Sequence, residues 1–418
     1  MNLNQHYGML LGLGDEWRVD NVVLKLEAKR IDIYLEYNTK SALCPLCGKL
    51  SGIHDKQEER EWRHLDTMQF ETRIHAKTPR VKCSKHGVKV IELPWANKYS
   101  HFTLLFEAFA IEVLNAAKST KHAQELLRIN WEQTRDIMEA AVKRGLARRK
   151  SDEVSFIGMD EKSFLRGKEA DAFACLMTDL DNSRVLEVSR GRNEEGARAL
   201  IDKALNPYQQ YMVCGVAIDM SAPFEKAIRS SMPNADIVFD KFHVEQHLGD
   251  GVDSVRKSEN KRLLKNHDKR LVGSKYLWLK GLEHMSDAAI ARRQDLIRCG
   301  LETGKAFGLK EAFSHFWKSR SKEYAEAYFR TWYGEVLKSG LKPMIKVAET
   351  LKKHLYGLLS WFDSRITNSI TEGYNSTIQA LKCTARGFRN FDNFRIAILF
   401  YCGKLDMQPD FVRVGARL

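Results

Sequence analysis

Three acidic side chains that lie far apart in the chain have the surroundings expected of metal ligands. Asp160 ends the apolar run FIGMD, and Asp219 ends the run VCGVAID. A carboxylate at the end of a buried strand is costly unless it faces water, amides or a cation. Two such carboxylates on neighbouring strands would suit Mg²⁺, and two of these ions about 4 Å apart can support phosphodiester transfer. This chemistry requires a third acid.

Each aspartate taken alone has a simpler explanation, because aspartate is also a common turn residue and helix cap. Asp219, which precedes MSAP, would fit that role. Asp240 in IVFDKFHV is a further candidate of the same type, with His243 one turn later. The choice between Asp219 and Asp240 as the second acid therefore stays open at this point.

The segment RITNSITEGYNSTIQALK, residues 365–382, carries a single acid, Glu372. At 3.6 residues per turn its apolar side chains form one stripe and its polar side chains another. The apolar stripe contains Ile366, Ile370, Tyr374, Ile378 and Leu381, and the polar stripe contains Asn368, Glu372, Asn375, Gln379 and Lys382. The pattern predicts a helix with a buried apolar face, whose polar face is either solvated surface or part of a site.

Two short motifs, CPLCG at 44–48 and CSKHG at 83–87, predict a metal site of a different kind. Two residues separate the members of each pair, and zinc binds four nitrogen and sulfur ligands tetrahedrally in closed structural sites. The predicted ligands are Cys44, Cys47, Cys83 and His86. The alternative is two chance pairs, and His54, His64 and His75 are weaker substitutes for the histidine ligand.

Residues 119–145, STKHAQELLRINWEQTRDIMEAAVKRG, contain two helical patterns separated by a short turn. This is the pattern of a helix-turn-helix, whose second helix enters a major groove. Gln133, Thr134 and Arg135 near the start of the second helix would then reach bases or phosphates. The alternative is an ordinary helical hairpin that packs between domains.

The whole chain suits a multidomain protein with a polyanionic partner. It has 418 residues, and 67 Lys and Arg against 54 Asp and Glu leave a net charge of +13. Such a length predicts two to four domains, and such a charge favours nucleic acid. MNLNQHYGMLLGLGDEW lacks the pattern of a signal peptide, and no apolar run is long enough to span a bilayer. We therefore expect a cytosolic protein without membrane contact.

Residues 20–95 alternate apolar and polar in short runs, which predicts small strands around the cysteine motifs, and residues 103–147 read as helices. Three apolar β-branched runs, followed by alternating helical and strand patterns to about residue 243, predict a mixed α/β sheet. From there to about 360 the pattern is helical and charged. These are the elements that must position the acids.

Five blocks occur in order along almost the whole chain: CPLCG with CSKHG, MDEKSF, AIDMSAPFEKAI, PNADIVFDKFHV and TNSITEGYNSTIQALKCTARGFRNFDNFR. Together they resemble the DDE transposases of bacterial insertion sequences of the ISL-three type. The resemblance implies a ribonuclease-H-like fold with acids on its first strand, after its fourth strand and on a late helix, which are Asp160, Asp219 and Glu372. One departure is His86, where the family often has a fourth cysteine.

By this resemblance the protein is a DNA transposase that binds terminal inverted repeats through its N-terminal modules, as a homodimer or larger assembly in the bacterial nucleoid. Two Mg²⁺ or Mn²⁺ ions held by the triad let water cut the DNA, and the freed 3′-OH attacks target DNA. One Zn²⁺ is structural. The alternatives are an inactive DNA-binding regulator derived from a transposase, and a nuclease of the same fold that never joins strands.

The expected domains are a zinc-binding β domain at 1–97, a helix-turn-helix domain with a basic linker at 98–150, and a catalytic core at 151–248 and 361–418. A helical insertion at 249–360 interrupts this core, and its stretch from Arg256 to Arg270 has seven Lys or Arg and two acids. The expected DNA contacts are Gln133, Thr134, Arg135, Asn368, Asn375, Lys382 and Arg386. The two amides could also orient Glu372.

Overall fold

A computed structural model describes residues 2–117, 119–149, 152–167 and 169–410. The chain divides into two compact units. The first contains the residues up to Arg149 and the segment that begins at Leu405, and the second contains Lys150–Lys404. Residues 405–410 thus belong to the first unit, whereas the predicted catalytic core includes 361–418.

The first unit combines a six-stranded sheet with helices. Its elements are α1 (Leu3–Leu10), β1 (Trp17–Lys25), β2 (Arg30–Tyr37), β3 (Ser41–Leu43), β4 (Leu50–Thr67), β5 (Phe70–Cys83), β6 (Gly87–Val90), α2 (Leu104–Ala116), α3 (Thr120–Leu127) and α4 (Trp131–Arg148). The strand order is β1-β2-β5-β4-β3, with β6 paired to β5. Only β2 and β5 pair in parallel. The buried side chains of Trp62, Ile33 and Ile74 form the centre of the core.

Helices α3 and α4 confirm the predicted helical pair. Arg128 ends α3 in the left-handed conformation, and Asn130 caps α4. The Asn130 side chain accepts from the Gln133 amide at 2.9 Å, and the Gln133 side chain accepts from the Asn130 amide at 3.0 Å. This reciprocal capping fixes the start of α4. At the other end of α4, Arg148 pairs with Asp406 and so holds the C-terminal segment.

The second unit contains the predicted mixed sheet. Its strands are β7 (Phe156–Ser163), β8 (Phe173–Asp179), β9 (Arg184–Arg190), β10 (Gly215–Ile218) and β11 (Asp236–Phe239). The strand order is β11-β10-β7-β8-β9. Strands β7, β8 and β9 form an antiparallel meander, while β10 is parallel to β7 and β11 is parallel to β10. The carboxyl ends of β7, β10 and β11 therefore meet at one edge of the sheet.

Helices connect and follow these strands. The sheet region has α5 (Glu194–Ala204), α6 (Pro207–Met212) and α7 (Ala222–Ser231), and its 3₁₀ helix is Ala170–Ala172. The predicted helical region has α8 (Lys241–Lys265), α9 (Lys275–Leu279), α10 (Asp287–Arg298), α11 (Glu302–Trp317), α12 (Lys322–Lys338), α13 (Lys342–Lys353) and α14 (Leu355–Ser364), with a 3₁₀ helix at Leu282–His284. The last helices are α15 (Ser369–Thr384) and α16 (Phe391–Cys402).

Four of the seven basic side chains between Arg256 and Arg270 form ion pairs within the protein. Arg256 forms an ion pair with Asp253, as Arg270 does with Asp268. Arg262 pairs with Glu302, so the residues from 256 to 270 do not form a uniformly cationic face. Among the helices of the described residues, none has both the length and the apolar character needed to cross a bilayer.

Candidate active site

Helix α15, which carries Glu372, packs on the sheet through polar side chains. Asn368, Thr371 and Thr178 of β8 are fully buried. The hydroxyls of Thr178 and Thr371 lie 2.6 Å apart, and the side-chain amide of Asn368 donates to the carbonyl of Met159 at 3.4 Å. These hydrogen bonds satisfy groups that would be costly to bury alone. The contact therefore fixes α15 both in distance and in rotation about its axis.

This packing adds two polar residues to the predicted buried face of α15, because Thr371 and Asn368 are buried although neither belongs to its apolar stripe. Of the five apolar residues, only Ile378 is buried, and the other four are half-buried. The reason for the burial of Thr371 and Asn368 is the absence of a side chain at Gly158 of β7. A Cβ atom there would clash with Thr371 and Asn368 and would lie 2.8 Å from the Thr178 hydroxyl. The glycine lets short polar side chains reach the strand.

The first predicted acid, Asp160, lies two residues after Gly158 on the same face of β7. Its side chain is 8% exposed. One carboxylate oxygen accepts from the Glu161 amide at 2.7 Å, and the other accepts from Asn375 of α15 at 2.5 Å. Asn375 lies three residues after Glu372, so the hydrogen bond ties the helix of the third acid to the first acid.

Glu372 lies beside Asp240 rather than alone. Ligand atoms of Asp240, His243 and Glu372 all lie within 4.8 Å of one another. The Asp240 side chain also accepts from the backbone amide of Asn368 at 3.3 Å. Asp219 follows β10 at the same edge, and its charge raises the pKa of Asp160. Both candidates for the second acid therefore lie at this edge, but among the described residues the closely spaced group contains Asp240 and neither Asp219 nor Asp160.

Helix capping explains neither of these two aspartates. The cap of α7 is Ser221, and Asp219 lies before it. Asp240 occupies the cap position of α8, but its side chain makes no capping hydrogen bond there. The capping explanation offered by the sequence therefore fails for both residues.

The pKa values of the acids at this edge reflect their burial and their mutual repulsion. Burial, with a contribution from Asp219, raises the pKa of Asp160 to about 6. Burial and the adjacent Asp240 raise the pKa of Glu372 to about 7, and burial also raises the pKa of Asp219. Despite burial, the neighbouring His243 and Glu372 lower the pKa of Asp240. A bound cation would favour the charged form of every one of these carboxylates.

Unpartnered oxygen atoms test whether these residues fit a metal. Asp219 Oδ1, Asp240 Oδ2, Glu372 Oε1 and Asn375 Oδ1 are buried, and none has a hydrogen-bond partner among the described residues. A buried polar atom without a partner costs about 1–3 kcal/mol. Carboxylate and amide oxygens are the ligands that hard divalent cations prefer. The residues present therefore fit a divalent metal.

The prediction of DNA contacts is wrong for two residues, because both are buried. Thr134 is 0% exposed and its hydroxyl donates to the Asn130 carbonyl at 2.8 Å, so it cannot reach a base. Asn368 is equally buried and orients α15 instead of meeting a DNA backbone. Periodicity alone could not reveal this, because both residues lie on helix faces that look polar.

The other residues expected to contact DNA differ in their exposure and in their hydrogen bonds within the protein. Arg135 is exposed beside Asp136, and Gln133 is half-buried with its side chain in the capping box. Lys382 donates to the Ser163 carbonyl at 2.9 Å at the end of β7. Arg386 is exposed just after α15 and has a left-handed backbone with φ 54°.

Gly158, Thr178 and Thr371 are site residues that the sequence analysis missed. One signal was available, because a glycine inside an otherwise apolar strand often marks a close approach by another element. Gly158 stands two residues before Asp160, which places both residues on one strand face. Nothing in the sequence paired Thr178 with Thr371, since they lie in different elements and their contact depends on the sheet.

The predicted zinc ligands form a second, separate cluster in the first unit. Cys44, Cys47, Cys83 and His86 have ligand atoms within 4.8 Å of one another. The sulfur atoms of Cys47 and Cys83 are 3.8 Å apart, and His86 Nδ1 is 3.7 Å from both Cys44 and Cys83. Zinc–sulfur bonds of about 2.3 Å in a tetrahedron give edges of roughly 3.8 Å. The cluster therefore has the dimensions of a structural zinc site.

Local backbone geometry supports this cluster. Gly48 and Gly87, which follow the two ligand pairs, have φ of 67° and 69°. Such angles are readily adopted only by glycine. Amides of Lys85 and His86 donate to Cys83 and lower the pKa of its thiol to about 6, which favours the thiolate that binds metal. The weaker histidine candidates lie elsewhere, since His64 contacts Thr103 and His75 contacts Asp32.

We expect the purified protein to contain one zinc ion per chain, and Cys83→Ser to contain almost none. Structural zinc binding releases on the order of 10 kcal/mol, so the variant should also melt at a much lower temperature in its first unit. Elemental analysis and thermal melting measure both effects. Cys214→Ser, which replaces an exposed cysteine outside the cluster, is the control. A folded wild-type protein without zinc would refute the assignment.

Comparison with known families gives three matches. Residues 157–398 match the family described as transposase of the DDE ISL3 type. Residues 40–86 match the zinc-finger of transposases IS204, IS1001, IS1096 and IS1165, and residues 91–142 match the helix-turn-helix domain of transposase family ISL3. The first match spans more than half of the chain and includes every acid of the site.

Individual relatives agree with these matches. The chain is 24% identical over 375 residues to the transposase for insertion sequence element IS1001 of Bordetella parapertussis, covering 88% of this chain and 91% of the relative. It is 24% identical over 373 residues to the transposase for insertion sequence element IS1557 of Mycobacterium tuberculosis, covering 83% of this chain and 82% of the relative. The similarity therefore extends across both units.

Proposed function

The chain belongs to the ISL3 family of transposases, and on that premise we propose that it cuts and joins DNA at a divalent-metal site formed by Asp160, Asp219 and Glu372. The observation that carries the proposal is that Asp219 Oδ1 and Glu372 Oε1 are buried without a hydrogen-bond partner among the described residues, near the Asp160 carboxylate that Asn375 and the Glu161 amide hold. These acids come from β7, from the end of β10 and from α15. The helices between β11 and α15 account for most of the long interval that separates Asp219 from Glu372 in the sequence.

The catalytic core is ribonuclease-H-like in this proposal. A three-stranded antiparallel meander followed by two strands parallel to the first supports it, as does the strand order β11-β10-β7-β8-β9. Helices from α8 to α14 are then an insertion between the fifth strand and the helix of the third acid. The zinc-binding and helix-turn-helix parts precede this core as separate domains.

The protein's own residues hold the acids in place for the reaction. Two bound Mg²⁺ ions would activate the attacking oxygen and stabilise the leaving oxygen of the phosphodiester. Asn375 and the Glu161 amide orient the two oxygens of Asp160. The buried hydrogen bonds of Asn368 and Thr371 keep Glu372 at the sheet edge. No side chain acts as a covalent nucleophile, because water and then the 3′-OH of the DNA supply the attacking oxygen.

Recognition of the terminal inverted repeats is assigned to the first unit. The start of α4 presents Gln133 and Arg135, and the second helix of a helix-turn-helix reads the major groove from its N-terminal residues. Lys382 and Arg386 lie at the far end of α15 and would contact DNA phosphates near the active site. Asn375 is half-buried beside Asp160 and serves mainly to orient that acid.

The assembly and location follow from the reaction. Two element ends must be processed together, so the active form is a homodimer or larger assembly on DNA. The working place is the bacterial cytoplasm, where nucleoid DNA is accessible. An inactive regulator would need only the first unit, and the retention of acids and unpartnered oxygens in the second unit favours the enzyme over it.

A strand-transfer assay tests the proposal and separates it from a nuclease. The substrate is a labelled duplex with the DNA end that flanks the coding region, already cut to expose its 3′-OH, mixed with plasmid and Mg²⁺. We expect labelled plasmid as product. The matched substrate with a 3′-dideoxy end should give only background joining, because the attacking oxygen is missing.

Each other outcome contradicts a part of the proposal. Cleavage of uncut ends without any joining of pre-cut ends would identify a nuclease. Binding of the ends with neither cleavage nor joining, in Mg²⁺ or Mn²⁺, would identify a regulator.

A further inference from the structure

Asp240 and His243 lie at the catalytic edge without a role in the proposed triad. Asp240 directly follows β11, and His243 lies in the first turn of α8. Strand β11 is parallel to β10, which ends just before Asp219. The two aspartates therefore emerge from neighbouring strands at the same edge, and α8 carries His243 to the same place.

Burial makes this pair unusual. The Asp240 side chain is 4% exposed. One of its oxygens accepts from the Asn368 amide, while the other, Oδ2, is buried without a hydrogen-bond partner among the described residues. His243 Nδ1 is also buried without a partner and lies 3.4 Å from that oxygen. These two atoms face each other beside Glu372, and in the neutral imidazole, the form that binds metal, they have no hydrogen bond among the described residues.

Helix capping does not account for these atoms. The Asp240 side chain makes no capping hydrogen bond to α8 although it stands at the cap position. His243 Nδ1 forms an ion pair with Asp240 Oδ2 only when the imidazole is protonated, and the other ionisable neighbour of Asp240, Glu372, is another acid. Leaving such atoms unpaired costs about 1–3 kcal/mol each, so a ligand that binds them would recover that free energy.

The distances match a shared divalent cation. An octahedral ion with bonds of 2.0–2.1 Å places neighbouring ligand atoms about 3 Å apart and opposite ones about 4 Å apart. The ligand atoms of Asp240, His243 and Glu372 lie within 4.8 Å of one another. Asp240 Oδ2 and His243 Nδ1, at 3.4 Å, have nearly the separation of neighbouring ligands. Only small movements would bring all three onto one ion.

We propose that Asp240 and His243 are direct ligands, with Glu372, of one of the two divalent cations. The inference rests on the proposed function, and it adds a fourth carboxylate and an imidazole to the triad. Asp160 and Asp219 then hold the other ion.

Pulsed EPR of Mn²⁺ bound to the full-length, zinc-loaded protein without DNA tests this directly. A coordinated imidazole gives ¹⁴N modulation in the spectrum of the bound ion. We expect that modulation in the wild type and its loss in His243→Asn. Titration should show an affinity about tenfold weaker in His243→Asn and in Asp240→Asn, in line with the usual cost of removing a metal-supporting group.

The control is His284→Asn, which replaces an exposed histidine on the helical insertion and should leave both signals unchanged. Zinc content and thermal melting establish that each variant is folded. Mn²⁺ binding without ¹⁴N modulation, and with equal affinity in both variants, would overturn the inference and leave the triad intact. If Asp160→Asn also leaves Mn²⁺ binding unchanged, the proposed metal site itself fails.

Discussion

Glu372→Gln is expected to reduce DNA cleavage and strand transfer by at least about 10³-fold, equivalent to about 4 kcal/mol of transition-state stabilisation. The substitution keeps the size of the side chain and removes the charge that binds metal. Asp160→Asn and Asp219→Asn should have losses of the same order. Rates measured on pre-cut and uncut end DNA, in Mg²⁺ and in Mn²⁺, separate joining from cleavage.

DNA binding and folding should survive these substitutions. Removing an acid lowers the repulsion of DNA phosphate, so affinity for the ends should stay equal or increase. The raised pKa values of Asp160 and Glu372 mean that their charged forms are disfavoured in the folded protein without metal. At pH 8 the neutral variants should therefore melt at the same temperature as the wild type or higher.

The matched control is Glu195→Gln, an exposed acid in the first turn of α5, as Glu372 is in the first turn of α15. It should keep full activity. If Asp219→Asn retained cleavage while Asp240→Asn abolished it, the second acid of the triad would be Asp240. If all variants retained cleavage, the site would lie elsewhere.

Gly158→Ala is expected to reduce the cleavage rate by about 100-fold although it is remote from DNA. The new methyl group would overlap Thr371 and Asn368 and force α15 away from β7. A misplacement of about 1 Å at a catalytic group costs roughly this factor. Overpacking should also lower the stability of the second unit by about 1–3 kcal/mol. Single-turnover cleavage and denaturant unfolding measure the two effects.

Two further variants test whether the effect of Gly158→Ala comes from this clash. Gly308→Ala on α11 adds the same methyl group where nothing lies within 4 Å, and it should change neither rate nor stability adversely. Thr371→Ala combined with Gly158→Ala removes one of the clashing groups, so the double variant should recover part of the lost activity. Wild-type activity in Gly158→Ala alone would show that the position of α15 is not set by this contact.

The parts of the protein that could be predicted from sequence are those whose partners are close along the chain. The Cys and His ligands come from two short turns whose glycines define the geometry, and the zinc cluster was found as expected. The two helices around Asn130 follow from a local capping signal and were also confirmed. Mixed α/β organisation and the helical stretch before α15 follow from hydrophobic periodicity alone. Family membership rested on ordered motifs, and the comparisons support it.

What the sequence could not decide is which surface each polar face meets. Periodicity predicted two faces of α15, but not that the missing side chain at Gly158 lets the polar residues Thr371 and Asn368 also become buried against the strand. Thr134 was expected to contact DNA but is buried. Its hydroxyl donates to the Asn130 carbonyl at the start of the same helix instead. Asp219 and Asp240 looked equivalent, and only the parallel pairing of β10 with β11 brings both to one edge. Distances between residues separated by a hundred positions depend on strand register and packing, and these exist only in the folded chain.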